Sequence, residues 1–446
     1  MSTEILARFQ FAFTSAFHYL FPPLSIGLGL ILVIMEGLYL KTGKPIYHQM
    51  TKFWVNVFAV IFSLGVATGI VLEFEFGTNW ATYSRYVGDI FGSALAAEGI
   101  FAFFLESGFL AVLVFGWDRV SPKVHFLSTC MVALGSTFSA VWIIVANSWM
   151  QTPAGYKIVG EGRTTRAEIT DFWAMVFNPS AMDRLSHTVS AAWITGAFLV
   201  ISVSAYYLRK NRHVDFAKAS MKIGLTVAVM ASLLQLFTGH RSADGVSVNQ
   251  PAKLAAFEGH YDSSKPMDGY LAGYVDESTQ SVKGVRIPVD GFTSWLLYKD
   301  ASRPVTGLDK FPKEDRPPVQ VVFQTYHLMV GIGFTLIGLS ILAGFMAWRN
   351  ILWQNKLFLT VLSWSVLLPQ LANQAGWVSA EMGRQPWVVY NILRTKDGLS
   401  KVVKAEQILA SIIIFGAIYA LLFFLFIYLL NKKIKTGPAV TAEVPA

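Results

Sequence analysis

The sequence predicts an all-α polytopic membrane protein with about nine transmembrane helices. Of its 446 residues, 54% are hydrophobic and only 14% are charged, whereas soluble domains carry roughly a quarter charged residues. Apolar runs of about 20 residues, long enough to cross a bilayer, recur along the whole chain. Because backbone groups in lipid must be hydrogen-bonded within their own segment, runs of this length indicate helices.

These runs divide the chain into predicted spans and loops. The nine spans are 11–39, 52–76, 91–117, 124–150, 184–208, 217–238, 319–348, 357–379 and 405–431. Residues 1–238 therefore hold spans one to six, and residues 319–435 hold spans seven to nine. Between them lies a long polar insertion, 239–318, and the chain closes on a Pro/Ala/Val-rich tail, 436–446, which we expect to be disordered.

The basic residues predict how the chain is oriented. They cluster at alternate span ends, around positions 41–52, 119–123, 209–222, 349–356 and 432–435. By the positive-inside rule these ends are cytoplasmic, so the N-terminus is outside and the C-terminus is cytoplasmic. The net charge of +8 is not gathered on one soluble face, which argues against a nucleic-acid partner.

Two outer segments are long. The first, 151–183, contains the stretch 171–177, which predicts a short amphipathic helix lying in the interface. The second is the insertion 239–318, and a loop of this length in a compact protein is expected to be functional. The first span is too long for a cleavable signal peptide, and the single cysteine, Cys130, has no intrachain partner.

Ionisable side chains lie inside the apolar spans or at their edges, where charge is costly and marks function. They include His18, Glu98, Glu106, His187 and Glu381. With the N-terminus outside, most of them fall in the outer half of the membrane. For one isolated histidine a structural hydrogen bond and a functional role are both open. The convergence of histidines with carboxylates favours a function.

These residues suggest haem. His187 and Met329 would fill both axial positions of a low-spin haem, a ligation that favours electron transfer. Glu381 would be an iron ligand or its close neighbour, and Arg384 would pair with haem propionates. Core packing is the alternative for Met329, because methionine on an apolar helix commonly fills gaps.

Other carboxylates suggest proton handling. Glu98 and Glu106 are eight residues apart, roughly 12 Å along one broad helix face. This spacing would suit proton delivery to a buried site; the alternative is a protonated carboxyl that caps a neighbouring helix. Glu36, Glu73 and Glu75 are expected at the membrane interface. Three histidines at span ends are expected to need no function: His48, His125 and His213.

Taken together, the motifs closely resemble those of one family, subunit I of the cytochrome bd-type quinol oxidases. The resemblance runs from the first span into the loop after the eighth, in family order. It rests on Arg8-Phe-Gln-Phe-Ala-Phe with His18, Met50-Thr-Lys-Phe-Trp54, Phe76-Gly-Thr-Asn-Trp80, Glu98-Gly, Phe103-Phe-Leu-Glu-Ser107, Val145-Ala-Asn-Ser-Trp-Met-Gln151, His187-Thr-Val, Lys253-Leu-Ala-Ala-Phe-Glu258, and Gly376-Trp with Gly383-Arg-Gln-Pro-Trp387.

The resemblance implies iron ligands among the matching residues. His187 and Met329 match the axial ligands of a low-spin haem b. His18 and Glu381 match ligands of two paired high-spin haems, one b-type and one usually haem d. Glu98 matches a carboxylate at that pair. Which high-spin haem each ligand holds is left open.

The resemblance also implies roles around the haems and substrates. Glu106 and Ser139 match positions on the inferred proton path from the cytoplasm. Lys253 and Glu258 match the quinol-site residues of the outer loop. Residues packed around haem edges and propionates are matched by Arg8, Trp377 and Arg384.

The sequence departs from the family pattern at two places. Many members carry arginine two residues before the methionine ligand, and here that position is His327. The substitution resembles the cyanide-insensitive branch and leaves a further haem b in place of haem d as an alternative. The outer loop lacks the long insertion of some members, which makes this a short-loop form. The residues do not distinguish ubiquinol from menaquinol.

The resemblance implies a terminal oxidase in the bacterial cytoplasmic (inner) membrane. Quinol would be oxidised at the outer face, and electrons would pass through the low-spin haem to the high-spin pair. There O2 would be reduced to water with cytoplasmic protons, which generates a membrane potential without a pump. The implied partners are a subunit II, a small single-helix subunit in some assemblies, and membrane lipids.

Two other classes would also place ionisable residues inside a membrane. A proton-coupled secondary transporter would use them as a relay, but the sequence offers no matched pair of broken helices in two halves. A haem b anchor of a respiratory dehydrogenase would more naturally use histidine pairs at both haems. A reduced-minus-oxidised spectrum distinguishes all three classes.

Overall fold

The computed structural model describes residues 2–439 and is predominantly helical. The helices in chain order are α1 Thr3–His18, α2 Pro22–Thr42, α3 Pro45–Thr78, α4 Ala81–Tyr86, α5 Gly88–Glu98, α6 Phe104–Phe115, α7 Pro122–Gln151, α8 Phe172–Val176, α9 Ala181–Arg209, α10 Val214–Asn249, α11 Pro251–Glu258, α12 Phe292–Tyr298, α13 Val319–Trp348, α14 Lys356–Trp364, α15 Leu367–Met382 and α16 Ala405–Thr436. Three antiparallel hairpins pair β1 Tyr156–Val159 with β2 Arg166–Ile169, β3 Tyr270–Asp276 with β4 Ser281–Arg286, and β5 Trp387–Val389 with β6 Leu393–Arg394.

Within the described residues, eight helical stretches are long and apolar enough to cross a membrane, which confirms the polytopic all-α class. They are Thr3–Thr42, Pro45–Thr78, Gly88–Phe115, Pro122–Gln151, Ala181–Arg209, Val214–Asn249, Lys313–Trp348 and Ala405–Thr436. The remaining predicted span, 357–379, is divided between α14 and α15, each too short to be counted by itself. The predicted tail 436–446 falls mostly on residues 440–446, which lie outside the described residues.

The break between α14 and α15 has a local cause. Pro369 lies in the first turn of α15, and a proline ring clashes with the carbonyl four residues earlier, here that of Ser365. The hydroxyl of Ser202 on α9 donates to the Leu362 carbonyl at 2.9 Å and accepts from the Val366 amide at 3.0 Å. A side chain from a neighbouring helix thus satisfies backbone groups that the break leaves free.

The first predicted span, 11–39, is also interrupted. Helix α1 ends at His18, and α2 begins at Pro22, the first of two consecutive prolines. Proline is favoured at the first position of a helix, and because it lacks an N–H it cannot donate the bond that would continue the preceding helix. The Pro22-Pro23 pair therefore separates α1 from α2 and leaves His18 in the last turn of α1.

The two interrupted helices lie against each other. The side-chain amides of Gln370 and Gln374 on α15 donate to the carbonyl oxygens of Leu20 and Ala16 at 3.0 and 2.8 Å. These bonds satisfy acceptors that a helix end leaves without intrahelical partners. The chain thus has interrupted helices in its first and eighth predicted spans. That the sequence lacks a matched pair of broken helices in two halves stays a prediction.

The third predicted span runs as α5, a π-helical turn over Gly99–Phe103, and α6. Such turns interrupt α-helices most often at functional sites. Ser139 Oγ on α7 donates to Glu98 Oε1 at 2.8 Å, and a Cβ at Gly135 of α7 would lie 2.3 Å from Glu106 Cγ. Both carboxylates therefore face α7, which confirms their predicted shared face.

Helix α9 lies at the centre of the bundle, and most of its residues after Val189 are buried. It packs closely on α2 because two glycines meet. A Cβ on Gly27 would lie 2.1 Å from the Ala192 carbonyl oxygen, and one on Gly196 would lie 2.3 Å from the Gly27 carbonyl carbon. Small residues at such crossings let helix backbones approach in membrane proteins.

The two ends of the bundle differ. At one end, which we call the hairpin side, the β5–β6 turn bonds to the end of α7 through Tyr390 N and Met150 O at 2.9 Å. At the opposite end, which we call the basic side, Arg212 donates to the Lys435 carbonyl at 2.9 Å. The predicted short helix within 171–177 is present as α8, and Asp171 caps it.

The insertion 239–318 is folded and does not begin where the sequence suggested. Helix α10 continues to Asn249, so the boundary at 239 lies inside a helix. The rest contains α11, the β3–β4 hairpin and α12. Its apolar residues form a cluster with Val322 and Phe323 at the start of α13: Leu254, Tyr261, Met267, Val275 and Leu308. This packing fixes α11 beside the transmembrane helices.

Candidate functional site

Four ionisable side chains meet on the hairpin side and form what we call the charge cluster. They are Arg184 in the first turn of α9, Lys253 on α11, Glu381 at the end of α15, and Arg384 just after it. Arg384 pairs directly with Glu381 Oε2. Lys253 and Arg384 are only 2% and 3% exposed, so their charges are held away from bulk water.

Two amides on α7 connect the members of this cluster. Asn147 Nδ2 and Gln151 Nε2 donate to Glu381 Oε1 at 3.2 and 3.1 Å. Asn147 Oδ1 accepts from Arg184, and Gln151 Oε1 accepts from Lys253 Nζ at 2.5 Å. The two amides are one turn apart on α7, so both reach the cluster. In each, the nitrogen donates to the Glu381 carboxylate and the oxygen accepts from a basic side chain.

The charge cluster holds more positive than negative charge. Two arginines and one lysine surround one carboxylate, and Arg184 Nε and Arg384 Nη1 are buried with no hydrogen-bond partner among the described residues. Buried charges are stable only when paired and hydrogen-bonded. The cluster is therefore suited to a ligand that brings further negative charge, such as a pair of carboxylates.

Sequence reasoning named three of the four members and missed Arg184. A usable signal was present, because Arg184 lies three residues before His187 and so shares its helix face. Trp377 lies beside the cluster, with the Arg184 guanidinium 5.7 Å from its ring centre, and its place at a haem edge stays a prediction. Arg8 does not: it pairs with Glu4 at 3.4 Å, one turn away on the same helix.

His18 is held with one ring nitrogen fixed. The Thr68 hydroxyl of α3 donates to the Leu64 carbonyl at 2.8 Å and lies 3.0 Å from His18 Nδ1. With its hydrogen committed, the hydroxyl accepts from Nδ1–H, which leaves Nε2 with a free lone pair. Fixing one nitrogen of a histidine through a second group is the usual way to orient it as a metal ligand.

His187 and Met329 lie on α9 and α13, on either side of α10. Gln235 Nε2 on α10 lies 3.1 Å from His187 Nδ1 and 3.2 Å from Nε2, and Thr238 Oγ1 lies 3.4 Å from Nδ1. Met329 is half-buried and faces α15 at Gly376. The structure therefore places both side chains within one group of packed helices.

Each of these three side chains faces a glycine. A Cβ would lie 3.1 Å from His18 Cε1 if placed on Gly69, and 3.4 Å from His187 Cε1 if placed on Gly239. On Gly376 it would lie 2.8 Å from the Met329 sulfur. Glycine is the residue that lets another group approach backbone closely. Each of the three side chains therefore packs directly against the backbone of a neighbouring helix.

The predicted quinol residues on α11 point to different places. Lys253 reaches the charge cluster, whereas Glu258 faces α13, with Oε2 3.7 Å from His327 Nε2. His327 Nδ1 lies 2.8 Å from the Phe323 carbonyl, to which it donates. Glu258 Oε2 has no hydrogen-bond partner among the described residues. The two residues therefore do not form one contact pair.

Burial changes the acidity of both residues. Desolvation raises the pKa of Glu258 to about 8, against a smaller opposing effect of the Tyr270 backbone hydrogen bond. Desolvation lowers the pKa of Lys253 well below its usual value, and the positive charges of Arg184 and Arg384 lower it further. A carboxyl with a pKa this close to neutrality can take up and release a proton under physiological conditions.

Three residues that the sequence placed at the membrane interface or at span ends are buried instead. Glu36 and His125 are each 2% exposed and contact each other, and Glu75 is 5% exposed. Neither carboxylate oxygen of Glu75 has a hydrogen-bond partner among the described residues. Only Glu73 is exposed as expected. The residues next to them in sequence do not show which distant segments pack on these side chains.

The protein side chains do not form a metal site by themselves. Among residues 2–439, no group of three or more His, Cys, Asp or Glu side chains could hold a metal ion. The predicted ligands His18, His187, Met329 and Glu381 are therefore separate, each offering one donor atom. Single donors of this kind suit a metal whose other ligands come from a planar prosthetic group.

Comparison with known proteins gives a consistent result. The model of the cytochrome bd terminal oxidase subunit I family matches residues 6–438. Cytochrome bd ubiquinol oxidase subunit 1 of Bacillus subtilis (strain 168) is 39% identical over 98% of this chain and 94% of its own length. Cytochrome bd-II ubiquinol oxidase subunit 1 of Escherichia coli (strain K12) is 35% identical, over 99% and 98%.

A solved structure agrees with these matches. The bd oxidase from Geobacillus thermodenitrificans superposes with a TM-score of 0.90 and 25% sequence identity, over 98% of this chain and 99% of that one. Fold and site thus define a redox subunit of the bacterial inner membrane that crosses it several times. More particularly, the chain belongs to the cytochrome bd terminal oxidase subunit I family. The resemblance seen in the sequence is confirmed.

Proposed function

We propose that this chain is the haem-carrying subunit of a quinol oxidase, which oxidises quinol on the hairpin side and reduces O2 to water. The relatives support a quinol substrate, since two are named ubiquinol oxidase subunits and a third, 32% identical, a putative menaquinol oxidase subunit. Those names leave the kind of quinol open. Membership of a terminal oxidase family favours this function over a transporter or a dehydrogenase anchor.

The observation that carries the proposal is the unbalanced charge cluster. Arg184 and Arg384 outnumber the single carboxylate of Glu381, and Arg184 Nε and Arg384 Nη1 are buried donors without a partner among the described residues. A haem brings two propionates, which would offer acceptors to both free donors. Arg384 is thereby proposed to bind propionates, as its position in the sequence first suggested, and Arg184 is added to it.

The proposed iron ligands come from the family resemblance. His187 and Met329 would hold a low-spin haem b, and both side chains pack against glycines, Gly239 and Gly376. His18, with Nε2 free and Gly69 alongside, would hold one high-spin haem. Glu381 and Glu98 would supply carboxylates at the high-spin pair. The second high-spin group is haem d or a further haem b.

When bound, these haems supply the electron transfer and the binding of O2. The chain's own residues bind, orient and handle protons. Glu258, with its raised pKa and an unpartnered Oε2, is proposed to accept a proton from a quinol hydroxyl on the hairpin side. Lys253 is the member of the charge cluster that shares α11 with Glu258, and its Nζ donates to Gln151 and Gln250 at 2.5 Å each. It would orient the quinol oxygen nearest the haem.

Protons for water formation would come from the basic side. The positive-inside rule makes this side cytoplasmic. Two carboxylates lie against the face of α7 that leads towards the hairpin side. Glu106 is 5% exposed, and Glu98 accepts a hydrogen bond from Ser139. Release of protons on one side and uptake on the other would generate a membrane potential without a pump. A subunit II, and in some assemblies a small single-helix subunit, would cover exposed apolar faces such as that of α16.

A reduced-minus-oxidised spectrum of the purified complex tests the proposal. We expect a low-spin haem b signal together with haem that reacts with O2 and carbon monoxide. Extraction and analysis of the pigments would then identify the second high-spin haem. A complex without haem would overturn the proposal, and one with only low-spin haem would favour a dehydrogenase anchor.

A further inference from the structure

A second group of buried ionisable side chains lies at the basic side, away from the charge cluster. Glu36 on α2 and His125 in the first turn of α7 form a contact of 2.6 Å between Oε1 and Nδ1. The Thr129 hydroxyl donates to the other carboxylate oxygen. His125 Nε2 donates to the Leu113 carbonyl at the end of α6, at 3.1 Å. We call the two ionisable residues the Glu36–His125 pair.

These hydrogen bonds define how many protons the pair holds. With Nε2–H committed to Leu113, one proton remains to be shared between His125 Nδ1 and Glu36 Oε1. The pair is therefore neutral overall, either as imidazolium with carboxylate or as imidazole with carboxylic acid. Losing this proton would leave two lone pairs facing each other at 2.6 Å, so a lost proton must be replaced at once.

The half-buried ring of Trp117 packs on one member of the pair. Trp117, in the turn between α6 and α7, lies with its ring centre 3.9 Å from that of His125. The next residue, Asp118, is exposed. Other ionisable groups near the pair are His48, 5.0 Å from the Trp117 ring, Lys52, 5.8 Å from it, and Cys130 on α7.

Helix α7 joins this pair to the carboxylates described above. Its hydroxyl residues Thr129, Ser136 and Ser139 are seven and three residues apart, so they share one helix face. Each lies beside a carboxylate of a different neighbouring helical segment: Glu36 on α2, Glu106 on α6 and Glu98 on α5. The steps between hydroxyls are roughly 10 and 5 Å along the helix. The longer step needs water to bridge it.

We propose that the Glu36–His125 pair is the group through which protons from the basic side join the path to Glu106 and Glu98. In each step a water proton on the Trp117 side protonates the pair, and the proton it held passes to water along α7. No electron moves and the pair is unchanged. This inference rests on the proposed function, which requires proton uptake from the basic side. Without such transfer, the pair would serve only as a brace between α2, α6 and α7.

The test uses the intact oxidase complex with two variants of the pair. Glu36→Gln keeps the size and the acceptor for Thr129 but cannot exchange a proton, and His125→Gln removes the imidazole. His213→Gln is the matched control, because His213 caps α10 near the same side of the bundle. The reduced complex is mixed with O2, and proton uptake is followed with a pH dye while haem oxidation is followed spectroscopically.

We expect both variants to keep wild-type haem spectra and to slow proton uptake by about 100-fold, the lower end for loss of a positioned proton-transfer group. The control should take up protons at the wild-type rate. Wild-type uptake in Glu36→Gln would overturn the inference. So would loss of haem in both variants, which would make the pair a brace. A wild-type complex without haem or O2 reduction would contradict the proposed function itself.

Discussion

Glu258 and His327 face each other where α11 packs on α13, with carboxylate Oε2 3.7 Å from ring Nε2. Parallel ring stacking holds the two helices in this register, since Phe257 and Tyr326, the neighbours of these residues, lie 4.3 Å apart at 3°. The residue that departs from the family pattern, His327, thus lies beside a predicted quinol residue and two positions before the predicted ligand Met329. A single turn of α13, which carries His327 and Met329, therefore lies between the proposed quinol site and the proposed low-spin haem.

Replacing Glu258 should separate the two half-reactions. We expect Glu258→Ala to lower quinol oxidation by about 100-fold, because a positioned proton acceptor is lost. O2 reduction driven by an artificial electron donor should stay near the wild-type rate. Both are measured as O2 consumption. Glu277→Ala, in the exposed turn between β3 and β4, is the control. Equal loss with both donors would make the residue structural.

The acidity of Glu258 predicts a pH profile. Burial raises its pKa to about 8, so below that pH the side chain is mainly protonated and cannot accept a quinol proton. The rate of quinol oxidation should therefore rise with pH, roughly tenfold per unit well below the pKa, and level off above it. Steady-state rates between pH 6 and pH 9 test this. The same profile in Glu258→Gln would contradict the assignment.

Met329 is predicted to be the sulfur ligand of the low-spin haem. Met329→Leu keeps an apolar side chain of similar volume but removes the sulfur, so the low-spin signal should be lost almost completely. Haem that reacts with carbon monoxide should remain. Met346→Leu, at a buried position on the same helix, is the matched control. Unchanged low-spin absorbance in Met329→Leu would reject the ligand.

The glycine beside Met329 provides a subtler test. A Cβ on Gly376 would lie 2.8 Å from the Met329 sulfur, so Gly376→Ala should displace the thioether and weaken or shift the low-spin band. On α13, Gly338→Ala meets no atom within 4 Å and should leave the spectrum unchanged. Absorbance spectra of the reduced complex compare the two variants. Identical spectra would mean that the glycine serves helix packing alone.

The break between α14 and α15 should depend on Ser202. Ser202→Ala leaves the Val366 amide without its side-chain acceptor. The Leu362 carbonyl keeps its bonds from the hydroxyl and the amide of Ser365. The expected loss is about 1–3 kcal/mol of unfolding free energy, the cost of a buried unsatisfied polar group. Ser363→Ala, which loses only a bond to its own helix, should cost less. Thermal unfolding of the purified complex measures both, and equal losses would assign no capping role to Ser202.

Much of this architecture could be predicted because long apolar runs in a sequence identify membrane-spanning helices. The spans around His18, Glu98, His187 and Met329 were placed from these runs, and the structure confirms that helices carry all four residues. Family motifs then gave candidate roles that spacing alone could not give. Met329, for example, cannot be distinguished from a gap-filling methionine by its place on an apolar helix, and its role as a ligand stays a prediction.

The parts that sequence could not predict depend on contacts between distant segments. Glu36 looks interfacial because its own helix end is near, but its partner His125 lies 89 residues further on. Arg184 looks like an ordinary residue at the start of a span until Asn147 and Glu381 are seen around it. The hairpins after α7, α11 and α15 carry no strong periodic pattern. Hydropathy identifies the apolar segments, but it does not show which side chains of other segments they contact.

The interruption at Pro22-Pro23 brings the ends of two helix dipoles together. Because α1 stops at His18 and α2 begins at Pro22, the negative end of one dipole and the positive end of the next lie within four residues of each other. Their fields largely cancel, so the charge state of a group beside His18 depends on its side-chain neighbours and not on the backbone. An uninterrupted helix would also leave the side-chain amides of Gln370 and Gln374 without the free carbonyl groups that they bind here.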